Sequence, residues 1–225
     1  MQINEIYQSI EGEMSAHHQG AITTFIRFQG CNLTCSYCDS KFTWKKDIGF
    51  QYTLKEVMNQ VYGYGNKNIT ITGGEPLMQR KAFIRLVERL HREGYEVVTE
   101  TNGTYLLPFH GFNNKTNWVV DWKLDINPFQ KDTLCRTIKY HLSDTDVVKF
   151  IIGNMDDFYN AIDEKIEMEK VCIYPPKFAL SAMFGRIKPA TLVEWMFQLD
   201  KAEKRNLYLN TQLHKFIWKS NERRV

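Results

Sequence analysis

Short β-type runs of apolar residues alternate along this chain with longer stretches of helical period. Ile22-Thr23-Thr24-Phe25-Ile26-Arg27-Phe28 predicts a first strand and Ile69-Thr70-Ile71-Thr72 a second. Glu96–Glu100, Trp118–Trp122 and Val147–Ile152 predict the third, fourth and fifth, and Val171-Cys172-Ile173-Tyr174 a sixth. A last short strand is expected near Leu207-Tyr208-Leu209. Helical period begins after Thr53, where Thr53 and Glu56 have the spacing of a capping box. Over residues 79–93 Phe83, Ile84, Leu86, Val87 and Leu90 recur at helical intervals, and Gly94 stands where that helix should end. Residues 156–170 and 190–204 read as two further helices. Residues 103–117, with Pro108 among glycines and asparagines, read as loop, so one helix of a regular alternation is missing.

Strands alternating with helices predict parallel βα units joined by right-handed crossovers. The expected fold is α/β: a truncated, open (βα)6-type parallel partial barrel with reduced helices, forming one domain over residues 1–225. The polar motifs share a position in this scheme. The stretch Cys31–Cys38 follows the first strand, Gly73-Gly74-Glu75-Pro76 the second, Thr101-Asn102-Gly103-Thr104 the third and Trp122-Lys123 the fourth. Each falls at the carboxyl end of its strand, the rim on which parallel barrels gather their active sites.

Composition narrows the class. The 225 residues are 43% hydrophobic and 24% charged, which suits a soluble globular domain with a full core. With 29 basic and 26 acidic residues the net charge is +3, too balanced to make nucleic acid or a membrane surface the main partner. Met1–Glu5 lacks the basic-then-apolar pattern of a leader, and no apolar run approaches the ~18 residues of a membrane span. Five cysteines, three of them crowded together, are no disulfide framework; thiols meant for metal point to a reducing compartment, hence the cytoplasm. Cys135 and Cys172 are expected to be ordinary packed residues.

Chemistry concentrates in Cys31-x3-Cys35-x2-Cys38, with Tyr37 just before the last thiol. Three thiolates can hold three irons of a 4Fe–4S cluster and leave the fourth iron open to a small amino acid-type chelator such as S-adenosylmethionine. The same local spacing is open to a zinc knuckle, with His17 or His18 as fourth ligand. Gly73 and Gly74 carry no side chain, so backbone amides and carbonyls there can approach a ligand such as the methionyl ammonium, with Pro76 setting the turn.

The cysteine spacing and Gly73-Gly74-Glu75-Pro76 resemble the radical S-adenosylmethionine enzymes. A wider set of stretches resembles the 7-carboxy-7-deazaguanine synthases of queuosine and 7-deazapurine biosynthesis. They are Ile3–Glu13, Phe25–Leu33, Cys38–Trp44, Thr72–Pro76, Thr101–Thr104 and the run from Gln212-Leu213-His214 to Val225. The resemblance implies a partial barrel of the radical S-adenosylmethionine type. It implies a carbon–nitrogen lyase in which a 5′-deoxyadenosyl radical starts the contraction of 6-carboxy-5,6,7,8-tetrahydropterin to 7-carboxy-7-deazaguanine, with loss of ammonia.

The same resemblance implies site residues. Cys31, Cys35 and Cys38 would carry the 4Fe–4S cluster and Ser40 would ligate magnesium. S-adenosylmethionine would lie against Tyr37, Cys38, Asp39, Gly73, Gly74, Glu75, Thr101, Asp121, Trp122 and Lys123, with Tyr174, Pro175, Pro176 and Lys177 beside its adenine. The pterin would meet Ile10, Glu11, Gly12, Arg27 and Thr72, with the tail 210–225 over the pocket and the carboxylate of Val225 on the pterin edge. A flavodoxin or ferredoxin would supply electrons, and the chain would form a homodimer. Four positions depart from the family pattern: Glu11 stands where Gln is familiar, Met14 where Gly is, Thr211 where Pro is and Arg224 where Gly is. A glycyl-radical activating enzyme, or a non-catalytic zinc or iron–sulfur module, gives no reason for Cys38-Asp39-Ser40, for Phe42-Thr43-Trp44 or for Gln212-Leu213-His214.

Overall fold

The computed structural model describes residues 1–46, 48–108, 115–124, 128–172, 174–218, 223 and 224, with the backbone alone at 128–130, 134 and 138. Its strands are β1 (Gln2–Ile10), β2 (Ile22–Phe28), β3 (Phe50–Gln51), β4 (Asn68–Gly73), β5 (Glu96–Thr101), β6 (Asn117–Trp122), β7 (Val147–Ile152), β8 (Lys177–Ala182) and β9 (Leu207–Asn210). Its helices are α1 (Leu54–Tyr64), α2 (Arg80–Arg92), α3 (Pro128–His141), α4 (Met155–Val171), α5 (Pro189–Gln198) and α6 (His214–Ile217). The strands form one sheet in the order β3-β1-β2-β4-β5-β6-β7-β8-β9. From β2 to β9 every neighbour is parallel, while β1 and β3 add an antiparallel edge. The open, mostly parallel α/β sheet is the expected architecture.

The period of two along each strand decides what faces where. Ile26, Phe28, Ile69, Ile71, Trp118, Val120, Val148, Phe150, Phe178 and Leu180 point to the helix-covered face and pack with Phe83, Leu86, Val87 and Leu90 of α2 and Phe158 and Ile162 of α4. The alternate positions face the other way. Low on that face Val98, Val119, Val147 and Ala179 form a small apolar floor against Met14 and Ala16. Toward the carboxyl ends the same positions turn polar: Arg27 on β2, Thr72 on β4, Glu100 on β5, Asp121 on β6, Lys149 on β7 and Ser181 on β8.

Local signals explain most element ends. Thr53 and Glu56 form the reciprocal capping box at the start of α1, and Gly94 follows α2 with a left-handed φ of +77°. Two expectations are corrected. The sixth parallel strand is not 171–174: Val171 is still in α4 and β8 begins at Lys177. Pro175 and Pro176 have no N–H for a ladder, so pairing starts only past them. Ile173 lies outside the described residues. The helix expected over 190–204 ends at Gln198, because Asp200 Oδ1 accepts from the amides of Ala202 (2.7 Å) and Glu203 (2.8 Å) and starts a new turn. Helix α3 and strand β1 were not expected as elements. The sequence of α3 has little apolar stripe, and β1 breaks its own alternation with a register shift between Ile3 and Glu5. That bulge sends Ile3 to the helix side and Glu5, opposite Arg27, to the polar side.

Candidate active site

The cysteine loop leaves β2 and is locked by β4. The amide of Gly74 donates to Phe28 O (3.1 Å) and that of Glu75 to Gly30 O (2.8 Å). Backbone meets backbone here: a Cβ on Gly73 would lie 2.2 Å from Phe28 O, and one on Gly74 2.0 Å from Gly30 O. The glycine pair is therefore required by the chain's own close approach. The amides of Gly74 and Glu75 are spent on that lock, and an ammonium, which only donates, would be met by backbone carbonyls.

Glu75 ties the next loop to the same point. Its carboxylate accepts from the amides of Leu77 (2.9 Å) and Asn102 (2.7 Å) and from the Thr101 hydroxyl (2.9 Å). It is fully buried, and burial pushes it up to about 7 against those three donors. The Asn102 side chain in turn reaches toward Cys31 Sγ (3.8 Å) and donates to Asn32 Oδ1 (3.0 Å). Glu75 is thus a strap between loops and is not among the residues that line the cavity. Trp122 is not among them either. One residue from Asp121, it has the opposite parity, packs in the core and lies 6.4 Å, ring to ring, from Phe150. Tyr174, Pro175, Pro176 and Lys177 stand at the amino end of β8, the far rim from the cysteine loop, for the same reason that the sixth strand was misplaced.

The remaining expected residues come together. Cys31, Cys35, Cys38, Tyr37, Asp39, Ser40, Gly73, Gly74, Thr101, Asp121, Lys123, Ile10, Glu11, Gly12, Arg27 and Thr72 all line one cavity of about 660 Å³ at the carboxyl ends of the parallel strands. Gly12 faces the C-terminal segment: a Cβ there would meet His214 Nδ1 at 2.8 Å, and its carbonyl accepts from the Leu213 amide (2.9 Å). Val225 lies outside the described residues.

Two charge networks shape the cavity. In the first, Arg27 donates through Nε to Glu5 Oε1 (3.0 Å), through Nη1 to Ser40 Oγ (3.2 Å) and through Nη2 to Tyr7 Oη (2.7 Å). The Ser40 hydroxyl donates in turn to Asp39 Oδ1 (3.1 Å). Two of the five guanidinium protons remain, one on each Nη, enough for a forked contact to a carboxylate. In the second, Lys149 lies between Glu13 and Asp121 Oδ1 (3.0 Å), while Lys123 pairs with Asp121 Oδ2 (2.7 Å) and caps the Tyr37 ring at 5.5 Å. Burial opposes the charge on Lys149, but Asp121, Glu13 and Glu100 raise it well above the ordinary lysine value. Burial likewise opposes ionisation of Asp121, yet the two ammoniums hold it down to about 2. Glu100, which accepts from the Thr72 hydroxyl (2.6 Å), goes the other way: burial pushes it up to about 7 despite the Lys149 charge.

Among the further cavity residues, Glu5, Tyr7, Arg223 and Arg224 lie in stretches that carry the family resemblance, whereas Glu100 and Lys149 lie outside them. A charged residue interrupting an apolar strand was the available signal for Glu100 and Lys149. For Glu5 the bulge hid it.

The thiols fit a cluster better than a single ion. Among the described residues no three His, Cys, Asp or Glu side chains are grouped to hold one metal ion, and all three cysteines line the cavity. A 4Fe–4S cluster takes each thiolate on a separate iron. Burial, only partly offset by the Leu33 amide, pushes the Cys31 thiol up, so iron has to supply the charge that makes it a thiolate.

Comparison with known proteins agrees with this arrangement. The model of the 4Fe-4S single cluster domain family matches residues 19–150, more than half of the chain. The 7-carboxy-7-deazaguanine synthase of Clostridium acetobutylicum is 37% identical over 98% of this chain and 97% of its own. That of Koribacter versatilis is 30% identical over 97% of each chain. Among solved structures, QueE from Escherichia coli superposes with a TM-score of 0.69 at 23% identity, covering 94% of this chain and 93% of its own, a likeness of fold. Open parallel sheet, three-cysteine loop and rim cavity define the class, a radical S-adenosylmethionine enzyme with a 4Fe–4S cluster. Within that class the chain belongs to the 7-carboxy-7-deazaguanine synthase family.

Proposed function

We propose that this enzyme converts 6-carboxy-5,6,7,8-tetrahydropterin to 7-carboxy-7-deazaguanine with loss of ammonia. One observation carries the reading: a single cavity places three cysteines beside a wall that carries both signs of charge, Arg27 and Lys149 positive and Glu100 and Asp121 negative. The bound cluster and S-adenosylmethionine supply the 5′-deoxyadenosyl radical that takes a hydrogen from the substrate.

The chain's own residues do the rest. Tyr37, Cys38, Asp39, Gly73, Gly74, Thr101, Asp121 and Lys123 form the cofactor side, with Gly73 and Gly74 offering carbonyls to the ammonium. Ile10, Glu11, Gly12, Thr72 and Arg27 form the substrate side, where the free fork of Arg27 suits the pterin carboxylate. Ser40, already oriented by Arg27 and Asp39, is the proposed magnesium ligand, the ion's other positions going to substrate oxygens and water. Glu100 sits in the cavity with its carboxyl held near neutrality, so its Oε atoms can give or take a proton as ammonia leaves.

The finer reading also includes a single domain with its tail over the pocket, a flavodoxin or ferredoxin as donor, a homodimer and a cytoplasmic location. No helix among the described residues is long and apolar enough to cross a membrane. The test is anaerobic reconstitution with iron and sulfide, then mass spectrometry of the pterin reaction. Appearance of 7-carboxy-7-deazaguanine, dependent on S-adenosylmethionine and reductant, supports the reading; intact pterin after full cluster loading rejects it.

A further inference from the structure

The buried carboxylate of Glu5 is shared by three guanidiniums. Arg27 takes Oε1, while Arg223 Nη2 (3.2 Å) and Arg224 Nε (3.4 Å) both reach Oε2. Glu5 is 1% exposed in its side chain, and all four residues line the cavity. Three guanidiniums therefore share one carboxylate here, and Asp39 faces Arg27 through Ser40. The two C-terminal arginines are held differently. Arg223 also donates to Asn4 Oδ1 (3.1 Å) and lies 4.0 Å over the Phe42 ring, whose centre is 5.9 Å from the Arg27 guanidinium. It is an anchor. Arg224 has the single longer contact, is 63% exposed in its side chain and has a left-handed backbone with φ of +63°. That conformation costs a residue with a Cβ about 1 kcal/mol that glycine would not incur. A long cation kept at a strained position, on a carboxylate already served by two others, marks a site of function.

We propose that Arg224 is a specificity-determining residue: it transfers from Glu5 to the carboxylate of the pterin substrate and, with Arg27, brackets that anion at the cavity mouth. Glu5 is its resting partner and Arg223 the hinge pin that keeps the tail in place. This rests on the pterin reading above. The exchange moves one guanidinium from a carboxylate with three arginine partners to one that otherwise has Arg27 alone, so no buried charge is left alone: Glu5 keeps Arg27 and Arg223.

The test is equilibrium binding to the full, anaerobically reconstituted chain with S-adenosylmethionine present. The probes are 6-carboxypterin and pterin lacking the carboxylate, read by ultrafiltration and pterin fluorescence, with wild-type turnover measured alongside. Arg224→Gly and Arg224→Asn both tolerate the left-handed backbone, and iron content checks that each is folded. The expected result is a loss of about tenfold in affinity for 6-carboxypterin, the low end for a charge-assisted contact at an exposed group, with no change for plain pterin. Wild-type affinity for 6-carboxypterin in both variants overturns the assignment while wild-type turnover leaves the function standing. An equal loss for both pterins also overturns it, since the arginine would then only support the tail. A wild-type chain that neither binds nor converts the carboxylated pterin removes the functional reading itself.

Discussion

Replacing Gly74 by alanine tests the claim that the glycine pair exists for backbone contact. The new Cβ would stand 2.0 Å from Gly30 O, 2.4 Å from Gly30 C and 2.9 Å from Cys31 N. All three are backbone atoms, so no side chain can swing away. Ordinary contact needs the two segments to part by about 1 Å or more. That separation stretches the Gly74 to Phe28 and Glu75 to Gly30 hydrogen bonds, 3.1 and 2.8 Å long, out of range. Two net hydrogen bonds at about 1 kcal/mol each, plus about 1–3 kcal/mol of overpacking, give a destabilisation of roughly 3–5 kcal/mol. This is a large share of a typical domain's stability of ~5–15 kcal/mol. The same displacement shifts Cys31 relative to Cys35 and Cys38, so cluster loading should fall as well. The assay is paired: a urea midpoint for the cluster-free chain, and iron content with visible absorbance after reconstitution. A Gly74→Ala chain that keeps both the midpoint and full iron loading would refute the backbone-contact argument.

Three more outcomes are expected. Cys35→Ala should abolish the visible absorbance and the cleavage of S-adenosylmethionine, while Cys135→Ala, exposed and far along α3, should keep both. Lys149→Met leaves Glu13 and Asp121 without their shared ammonium; a loss of about 3–5 kcal/mol in the urea midpoint is expected at pH 8, smaller at pH 5 where carboxyls protonate, and an equal loss at both would exclude the charge explanation. Glu75 is held at about 7 in the folded chain against 4.5 unfolded, so the folded state binds the extra proton and stability should fall as pH rises from about 4.5 to 7. Up to about 3 kcal/mol is at stake, and Glu75→Gln should remove this share of the slope while Glu100, also raised to about 7, keeps its own; an unchanged slope would mean the three donors hold the Glu75 carboxylate ionised.

Much of this protein is decided by local patterns. The capping box at Thr53, the apolar stripe of α2 and the alternation in β2, β4, β5, β6 and β7 are properties of short windows, and each element formed where its window said. The cysteine spacing and the Gly-Gly pair are also local, since loop chemistry is written in adjacent residues. What failed were windows whose signal was weak or broken: α3 lacks a clean stripe, β1 carries a bulge, and Pro175-Pro176 push β8 past the apolar run that looked like its start. Tertiary structure alone decided the rest, because parity and register act between strands. They turned Asp121 into the cavity and Trp122 away from it. They brought Glu5 of β1 opposite Arg27 of β2, and carried Arg223 and Arg224 back across more than 200 residues to the same carboxylate. They also set the acid strengths: Asp121 and Glu100 are both carboxylates on neighbouring strands, and only the placement of Lys123 and Lys149 holds one near 2 while burial lifts the other to about 7. No window of sequence contains those neighbours, so the charges that equip the site are a product of the fold.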